Sequence, residues 1–341
     1  MVFIAFFINF AAQTKAMDNE LYMSAIDPVR SELDLFMEHF NSLLKDDDPD
    51  VASLLERLRS RSGKMMRPIL VLLTGKYFGF PTDRLYNVAA GLELLHTATL
   101  IHDDVVDNSM MRRGLSSFNA VFDNKLSVLF GDYILAKALG EMSRSGLIDN
   151  IMALSALCST LSLGEIAQLA VRNDEKLDED TYFDIISRKT ACLFSFAGSL
   201  SAATCGADDS KKKTFGHFGH LAGLCFQIRD DIFDYYQSDQ TGKPSGNDLK
   251  EGKFTLPAIH ALNSSDIDWS DTIRDIRSCN ASEKQIADVT AYSIQNGGID
   301  YAVSKMSDLS NEALTSLPSD MPSNLKKAFE SYISLIIRRN K

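Results

Sequence analysis

The amino-acid sequence predicts an all-α fold in a single domain. Apolar residues recur at three- and four-residue spacings, the pattern of helices that bury one face, in five long segments: 84–107, 118–143, 147–172, 180–205 and 211–238. No segment sustains the alternation of apolar and polar residues that a half-buried strand requires. No stretch rich in Pro, Gly or Ser separates the 341 residues into two domains.

The N-terminus differs from the rest of the chain. It opens with an apolar run at residues 1–12, which is too short to span a bilayer. Lys15 follows this run, whereas the basic residues of a signal peptide precede the apolar core. Met17 is followed at once by Asp18, Asn19 and Glu20, as in an ordinary soluble protein. We therefore expect residues 1–16 to be an apolar extension or an artefact of the start site, and residues 17–341 to form the domain.

Two internal segments carry further structural information. Residues 126–139 are rich in Leu, with Asp132 and Lys137 as the only charges, so we expect a helix that is largely buried inside a bundle. Residues 242–246 combine Gly, Pro and Ser, which predicts a loop. Because Lys243, Asp248 and Lys253 lie in or just after this loop, we expect it to be a mobile part of a functional site.

Composition excludes some classes of function. The chain has 46 acidic and 35 basic residues, a net charge of -11 and a pI of about 5.0, so as a whole it does not have the charge of a nucleic-acid-binding protein. An anionic small-molecule substrate stays compatible, since the basic residues gather in short motifs. The five cysteines are scattered and form no CxxC pair, which predicts free thiols in a reducing compartment, the cytoplasm.

One aspartate pattern occurs twice, as Asp103-Asp104-Val105-Val106-Asp107 and as Asp230-Asp231-Ile232-Phe233-Asp234. Each copy places carboxylates at i, i+1 and i+4, and the first and last of these lie on one face of a helix. Like charges at this spacing repel, so each cluster indicates a bound cation. Carboxylates suit Mg²⁺, which typically takes one or two of them together with phosphate oxygens. Two such faces turned toward each other would hold a diphosphate between them.

A solvated acidic patch, or ion pairs with nearby arginines, is the alternative interpretation of either cluster. For one cluster alone the two interpretations are about equally good, since short motifs often match by chance. The repetition of the same spacing in two apolar helical segments favours metal binding.

Short basic motifs accompany the two aspartate patterns. They are Gly63-Lys64-Met65-Met66-Arg67-Pro68, Arg112-Arg113-Gly114, Arg188-Lys189-Thr190, Gln227 with Arg229, and the segment Gly242–Lys253. With the aspartates, these motifs resemble those of the trans-prenyl diphosphate synthases, or polyprenyl synthetases. The resemblance extends over residues 63–256 and covers at least six motifs in the order of that family.

The resemblance implies a fold, a reaction and a metal cofactor. The fold is a large antiparallel helical bundle around a central substrate cavity. The reaction is the head-to-tail condensation of isopentenyl diphosphate with an allylic diphosphate. Three Mg²⁺ are implied, held by Asp103, Asp107 and Asp230, while Asp104, Asp231 and Asp234 orient waters and ligands around them.

The resemblance also implies the residues that bind the two substrates. For the allylic diphosphate they are Arg112, Lys189 and Lys243, with Thr190 and Gln227 lining the same pocket, and Lys253 is a further substrate-binding residue. For isopentenyl diphosphate, which needs no metal, they are Lys64, Arg67, His96 and Arg113. His96 lies two helical turns before Asp103 and so can face the same cavity; considered alone, it is more simply a core histidine. At Met65 many relatives have a further basic residue, so this position departs from the common pattern.

Product length is set in the family by residues just before the first aspartate, which form a floor under the growing chain. Here the fourth and fifth residues before Asp103 are Thr99 and Ala98, which are small where short-chain farnesyl enzymes commonly have aromatic residues. An open floor predicts a long all-trans product of the length found in quinone side chains. A short-chain farnesyl or geranylgeranyl diphosphate synthase is the alternative.

A terpene cyclase and a regulatory subunit of a heteromeric synthase fit the motifs less well. A terpene cyclase usually carries an Asn/Ser/Glu metal motif on its second helix, where this chain has Asp230, Asp231 and Asp234. A regulatory subunit typically lacks one aspartate motif, and both are complete here. The resemblance further implies a homodimer. No stretch after residue 12 reaches membrane-spanning length without charge, so we expect no transmembrane span, and any membrane association to be a loose one through the lipid product.

Overall fold

The structure is a computed structural model that describes residues 17–60, 63–79, 83–112, 115–174, 176–236 and 246–338. Residues 1–16 and most of the predicted loop at 242–246 lie outside these ranges, in which helices dominate. In chain order the helices are α1 (17–26), α2 (Arg30–Leu43), α3 (Pro49–Arg59), α4 (Met66–Tyr77), α5 (Asp83–Val106), α6 (Phe118–Val121), α7 (Asn124–Arg144), α8 (Ile148–Ala170), α9 (Glu179–Ile186), α10 (Cys192–Thr204), α11 (Asp209–Asp234), α12 (Asn247–Lys250), α13 (Leu256–Asn263), α14 (Ser270–Arg277), α15 (Glu283–Gln295), α16 (Gly298–Ser316) and α17 (Ser323–Arg338).

The all-α prediction is confirmed, and each of the five predicted helical segments contains a long helix. Two of them are interrupted. Asp123 begins a new helix by accepting a hydrogen bond from the backbone of Leu126, which divides 118–143 into α6 and α7. A π-helical turn at Ser187–Ala191 separates α9 from α10. Sequence periodicity did not predict the short antiparallel hairpin formed by β1 (Met111–Arg112) and β2 (Leu115–Ser116).

Four helices, α4, α5, α10 and α11, form the centre of the bundle. Helix α10 packs along α11 and also contacts α4 and α5. Every residue of α4 from Met66 to Gly75 is buried, as expected of a helix that is surrounded on all sides. The turn between α10 and α11 is short, so these two helices run antiparallel. The central helices thereby fix the positions of α5 and α11, which end at the two aspartate motifs.

The remaining helices surround this centre. Helix α7 packs along α5, α8 packs against α7 and the π-helical turn, and α16 and α17 cover α11. A connected apolar core extends from α1 to α17. Its largest fully buried side chains include Phe194 of α10, Phe215 and Phe218 of α11, and Phe329 and Tyr332 of α17.

The prediction of a largely buried helix at residues 126–139 is wrong. Phe130, Ile134 and Ala138 of α7 are buried against α5, but the opposite side of the helix is exposed and apolar. Leu129, for example, exposes 64% of its surface. The sequence pattern could not distinguish a helix that is enclosed on all sides from one that keeps an apolar face for another contact.

Helix α8 continues this exposed apolar face. By length and composition it is the one helix in the described ranges that could cross a membrane, and 28% of its most apolar 18-residue window is buried inside the structure. Its inner side contributes Leu154, Leu157 and Leu161 to the core. The helix therefore has one apolar side that packs in the bundle and another that is exposed.

Close packing between α10 and α11 depends on a glycine. A Cβ atom added at Gly198 would overlap the backbone carbonyl of Phe215, which cannot move without shifting α11. We predict that Gly198→Ala lowers the free energy of unfolding by about 1–3 kcal/mol, the usual cost of overpacking a core. Chemical denaturation measures the change.

Gly140→Ala is the matched control, because this glycine is also helical and the nearest atom to an added Cβ is Arg144 Nη1, at 3.7 Å. Here the better helix propensity of Ala should stabilise the protein by about 0.5–1 kcal/mol. Equal effects at the two positions would contradict the packing argument.

Candidate active site

The two aspartate motifs lie at the C-terminal ends of α5 and α11 and border one site. Lys253, which follows the second motif, approaches Asp107 of the first motif, with its Nζ 3.3 Å from Oδ2. On the other side, Thr190 donates a hydrogen bond of 2.7 Å to Gln227, which lies on α11 one turn before Asp231. The site therefore combines residues from α5, α11, the π-helical turn and the segment after α12.

Asp103 lies in an environment that disfavours its negative charge. Burial raises the pKa of its carboxyl group to about 7, and the neighbouring carboxylate of Glu165 adds to the rise, whereas Lys189 and Arg112 oppose it. Asp107 lies one turn further along α5 and contributes in the same sense as Glu165. A cation bound among these carboxylates would remove the penalty.

Lys189 is held against α8, near Asp103 of the first aspartate motif. Its Nζ lies 2.7 Å from Glu165 Oε1 and also donates to the side chain of Gln168. Helix α8 approaches the π-helical turn closely at Gly164, where an added Cβ would lie 2.9 Å from Arg188 Cβ and 3.0 Å from Lys189 Cγ. A π-helical turn often marks a functional site, and here it carries the Arg188-Lys189-Thr190 motif.

Asp231 is buried within a chain of hydrogen bonds. Its carboxylate accepts from Tyr182 at 2.6 Å and from Gln227 at 2.7 Å, and Gln227 in turn accepts from Thr190. Burial raises the pKa of Asp231 to about 7; the two hydrogen bonds oppose the rise, and Asp230 and Asp234 add to it. These contacts fix the orientation of Asp231, whereas Asp230, at the preceding position of the helix, is only half-buried.

Asp104 and Asp234 hold the segments that follow their helices. Arg112 of β1 donates a hydrogen bond of 2.6 Å to the buried carboxylate of Asp104. Asp234 accepts from the side chain of Asn247 and, at 2.9 Å, from the backbone N–H of Asp248. Each carboxylate therefore fixes the path of the chain just beyond its own motif.

A cavity of about 280 Å³ lies beside the first motif. His96, Glu93 and Arg112 line it together with Gly63 and Met65 from the start of α4. Lys64 is exposed next to this cavity. Arg67 is buried one turn further on, with its guanidinium group 4.6 Å from the centre of the Phe194 ring. His96, predicted as a substrate contact, thus lies on a cavity wall and not in the closed core.

Two predicted substrate ligands, Arg113 and Lys243, lie outside the described residues. The two positions predicted to set product length are described. Ala98 is buried, and Thr99 donates a hydrogen bond to the backbone carbonyl of His96 at 2.8 Å. Neither Ala98 nor Thr99 lines the cavity of 280 Å³ or a second one, of about 160 Å³, behind the second motif.

Three residues of the site were not predicted from the sequence: Glu165, Gln168 and Tyr182. A signal for the first two was present, because Glu165 and Gln168 are spaced i, i+3 and so share a helix face. Tyr182 precedes Lys189 by seven residues, two turns in a regular helix, but a buried tyrosine is ordinarily a core residue. Its role became visible only through its contact with Asp231.

The residues present fit a divalent cation. Asp103, Asp107 and Glu165 offer carboxylate oxygens, the ligands that hard cations prefer, and burial together with Glu165 raises the pKa of Asp103. Among the described residues no group of three or more acidic, His or Cys side chains is placed to hold a metal ion by itself. Ligands supplied jointly by the protein and a bound phosphate are the usual arrangement for Mg²⁺.

Facing carboxylate helices inside an all-α bundle, with lysines and arginines around them, define an enzyme that binds an anionic substrate. The model of the family described as polyprenyl synthetase matches residues 48–293. The chain is 32% identical over 323 residues to an octaprenyl diphosphate synthase of Haemophilus influenzae, covering 93% of this chain and 98% of that protein. The chain therefore belongs to the polyprenyl synthetase family and is a prenyltransferase.

Solved structures agree with this assignment. A polyprenyl synthase from Caulobacter crescentus, complexed with calcium and isoprenyl diphosphate, has a TM-score of 0.86 and 28% identity, covering 93% of this chain and 98% of that one. A geranylgeranyl pyrophosphate synthase from Bacteroides thetaiotaomicron has a TM-score of 0.83 and 35% identity, covering 94% of this chain and 100% of that one. The all-α isoprenoid synthase fold is thereby confirmed.

Proposed function

We propose that this protein condenses isopentenyl diphosphate with an allylic diphosphate, head to tail, and releases a long all-trans polyprenyl diphosphate. The observation that carries the proposal is that Lys253, from the segment after the second motif, contacts Asp107 of the first motif, while Thr190, next to Lys189, bonds Gln227 on the helix that bears the second motif. Such a site can hold one diphosphate between two acidic helix ends.

The reaction begins with ionisation of the allylic C–O bond, so negative charge grows on the departing diphosphate. Lys189, Lys253 and Arg112 surround the position of that charge and stabilise it electrostatically. Three Mg²⁺, held by Asp103, Asp107 and Asp230, would supply Lewis-acid stabilisation of the same group. Asp103 suits this role because a bound cation would offset the penalty that burial and the carboxylate of Glu165 place on its charge.

The second substrate is assigned to the cavity of 280 Å³. Lys64 and His96 lie beside or on its wall, so they offer a positive charge and a ring donor to a diphosphate that carries no metal. Leu100, Ile101 and Phe118 supply the apolar part of the lining, which suits a short isoprenoid tail. Arg67, at the same end of α4, packs with its guanidinium group over the ring of Phe194.

Replacing either metal-binding aspartate should abolish most of the activity. We expect Asp103→Ala and Asp230→Ala each to lower kcat by about 10³-fold, the typical loss of a major electrostatic stabiliser, and to leave the thermal unfolding midpoint unchanged or higher, because a carboxylate that repels its neighbours is removed. Steady-state assays with Mg²⁺, and with Mg²⁺ removed by a chelator, measure the effect.

Asp300→Ala, which removes an exposed aspartate from α16, is the control for this experiment and should keep normal turnover. Near-normal turnover in Asp103→Ala or Asp230→Ala would show that the metal assignment is wrong.

The proposed chain length rests on the residues before the first motif. Ala98 and Thr99 are small, and the Haemophilus relative is named for an octaprenyl product. The Bacteroides structure is named for the shorter geranylgeranyl product, so the family name alone does not decide between them. Chromatography of the dephosphorylated products of an elongation assay distinguishes a long product from a short one.

Enlarging position 98 should shorten the product. We expect the series Ala98→Val, Ala98→Leu and Ala98→Phe to give progressively shorter chains while the allylic primer is still consumed, because a larger side chain closes the path of the growing tail. Since Ala98 is buried, Thr99→Phe at the half-buried neighbour serves as a second variant. A wild type that makes only farnesyl or geranylgeranyl diphosphate, or a series with unchanged products, contradicts the long-chain proposal.

The proposal includes a homodimer, formed through the exposed apolar face of α7 and α8. The two helices pack against each other and expose several large apolar side chains, namely Leu126, Leu129, Leu139, Ile148, Met152, Leu163, Ile166 and Leu169. Apolar faces of this extent commonly mark protein–protein contacts. A second copy of the chain would cover the face symmetrically, so a transmembrane role for α8 is not needed to explain it.

Charged residues on this face should prevent association. We expect the double variant Leu129→Glu with Ile166→Glu to have a monomer mass in light scattering at micromolar concentration, whereas the wild type has a dimer mass. Ile294→Glu is the control, because Ile294 is 40% exposed on α15, which packs against α13 and α16 and not against α7 or α8. A wild-type monomer would overturn the dimer proposal.

The cytoplasm is the proposed location. All five cysteines are free thiols, as expected in a reducing compartment. Contact with a membrane is then required only for delivery of the lipid product.

A further inference from the structure

Lys253 reaches Asp107 from a short backbone segment, Glu251–Phe254, which we call the Lys253 segment. Its ammonium group lies 3.3 Å from Asp107 and 2.6 Å from Glu251. Although burial opposes the charge, the carboxylates of Glu251 and Asp107 raise the pKa of Lys253 above its usual range. The lysine is therefore positively charged. Whether its ammonium group can contact a substrate depends on where the backbone of this segment is held.

Two arginines from other parts of the chain bind the carbonyl groups just before Lys253. Arg172, in the turn after α8, donates to the carbonyl oxygen of Glu251 at 3.2 Å. Arg277, at the end of α14, donates to that of Gly252 at 3.5 Å, and its guanidinium group lies 5.1 Å from the centre of the Phe254 ring. Consecutive peptide groups are thus held from two sides.

The backbone of the Lys253 segment also fits closely against α14. Gly252 has a φ of +77°, and an added Cβ would lie 3.0 Å from the carbonyl oxygen of Arg277. A larger residue at this position would be strained and would have to move away from α14. The segment is therefore located by both hydrogen bonds and close contact.

Burial of the charged Arg277 side chain has a desolvation cost that lowers the free energy of unfolding. Arg277 is 9% exposed, and its Nε atom has no hydrogen-bond partner within the described residues. Replacing a buried charged group by an apolar one of similar size is often neutral or stabilising, so packing gives no reason for an arginine here. Arg277 and Lys253 line the same cavity of about 160 Å³, which places the buried charge beside the site.

We propose that Arg172 and Arg277 form a clamp that positions the Lys253 ammonium group for the diphosphate of the allylic substrate. The inference rests on the proposed role of Lys253 in binding that diphosphate. Both arginines are positioning residues, since their observed contacts are to the backbone and ring of the Lys253 segment. Loss of either should weaken binding of the allylic substrate and leave binding of isopentenyl diphosphate unchanged.

The first test compares Arg277→Met and Arg172→Met with the wild type. We expect each to raise KM for the allylic diphosphate about tenfold, the scale of one lost hydrogen bond to a charged group, with KM for isopentenyl diphosphate unchanged. Arg277→Lys, which keeps the charge, should recover part of the loss. Arg274→Met is the control, because Arg274 lies one turn earlier on α14, exposed and paired with Asp271, and it should behave as wild type.

Coupling to Lys253 separates positioning from general stabilisation. If the clamp acts through Lys253, Arg277→Met should add no more than about a twofold change in the Lys253→Ala background, within the error expected for such cycles. Full additivity, or equal increases in both KM values, would overturn the proposal. Should Arg277→Met fail to show a cooperative thermal transition, Arg172→Met decides by the same criteria, since it lies on a separate segment.

Binding of inorganic diphosphate in the presence of Mg²⁺, followed by calorimetry, provides a readout that does not require turnover. Wild-type binding without condensation would refute the proposed reaction while leaving the clamp testable, and Arg277→Met should again weaken binding about tenfold. Unchanged diphosphate affinity in both arginine variants would refute the clamp.

Discussion

Repulsion among carboxylates at the ends of two helices is the constraint on which the rest of this site depends. Six aspartates from α5 and α11 gather at one end of the bundle, and the protein balances them in different ways. Arg112 pairs with Asp104, Lys253 with Asp107, and backbone and amide groups bind Asp234. Burial raises the pKa of Asp103 and of Asp231, and neighbouring carboxylates add to the rise. A cation bound at these helix ends would offset both effects.

Such a charged site needs a rigid support, and the helix packing supplies it. Small residues let backbones approach where α8 meets the π-helical turn and where α10 meets α11, at Gly164 and Gly198. Lys189 consequently lies at a junction of three elements and is fixed by Glu165 on α8. A lysine held in this way has little freedom to reorganise, which is the condition for strong electrostatic stabilisation of a departing diphosphate.

Sequence periodicity predicted the helices and the two acidic helix faces, because both depend on local spacing. It could not show which side of α7 would be exposed, since Leu129 and Ile134 are equally apolar and only the neighbouring helices distinguish them. It also missed Tyr182, Arg172 and Arg277, because each of them contacts residues far away in the chain. Asp231 illustrates the difference: its position in the motif was evident from the sequence, but its hydrogen bond to Tyr182 arises only when α9 folds against α11.

Helix α8 connects the active site to the exposed apolar face, because its two sides belong to one rigid helix. Glu165 faces inward and holds Lys189, whereas its direct neighbour Ile166 is 60% exposed on the apolar face. If a second copy of the chain covers that face, any shift of α8 on association is transmitted to the lysine. Thermodynamic linkage then requires the reverse as well: a bound diphosphate changes the affinity between the copies by the same factor. Specific activity in dilute solution would consequently depend on protein concentration, a kinetic property traceable to the adjacency of two residues on one helix.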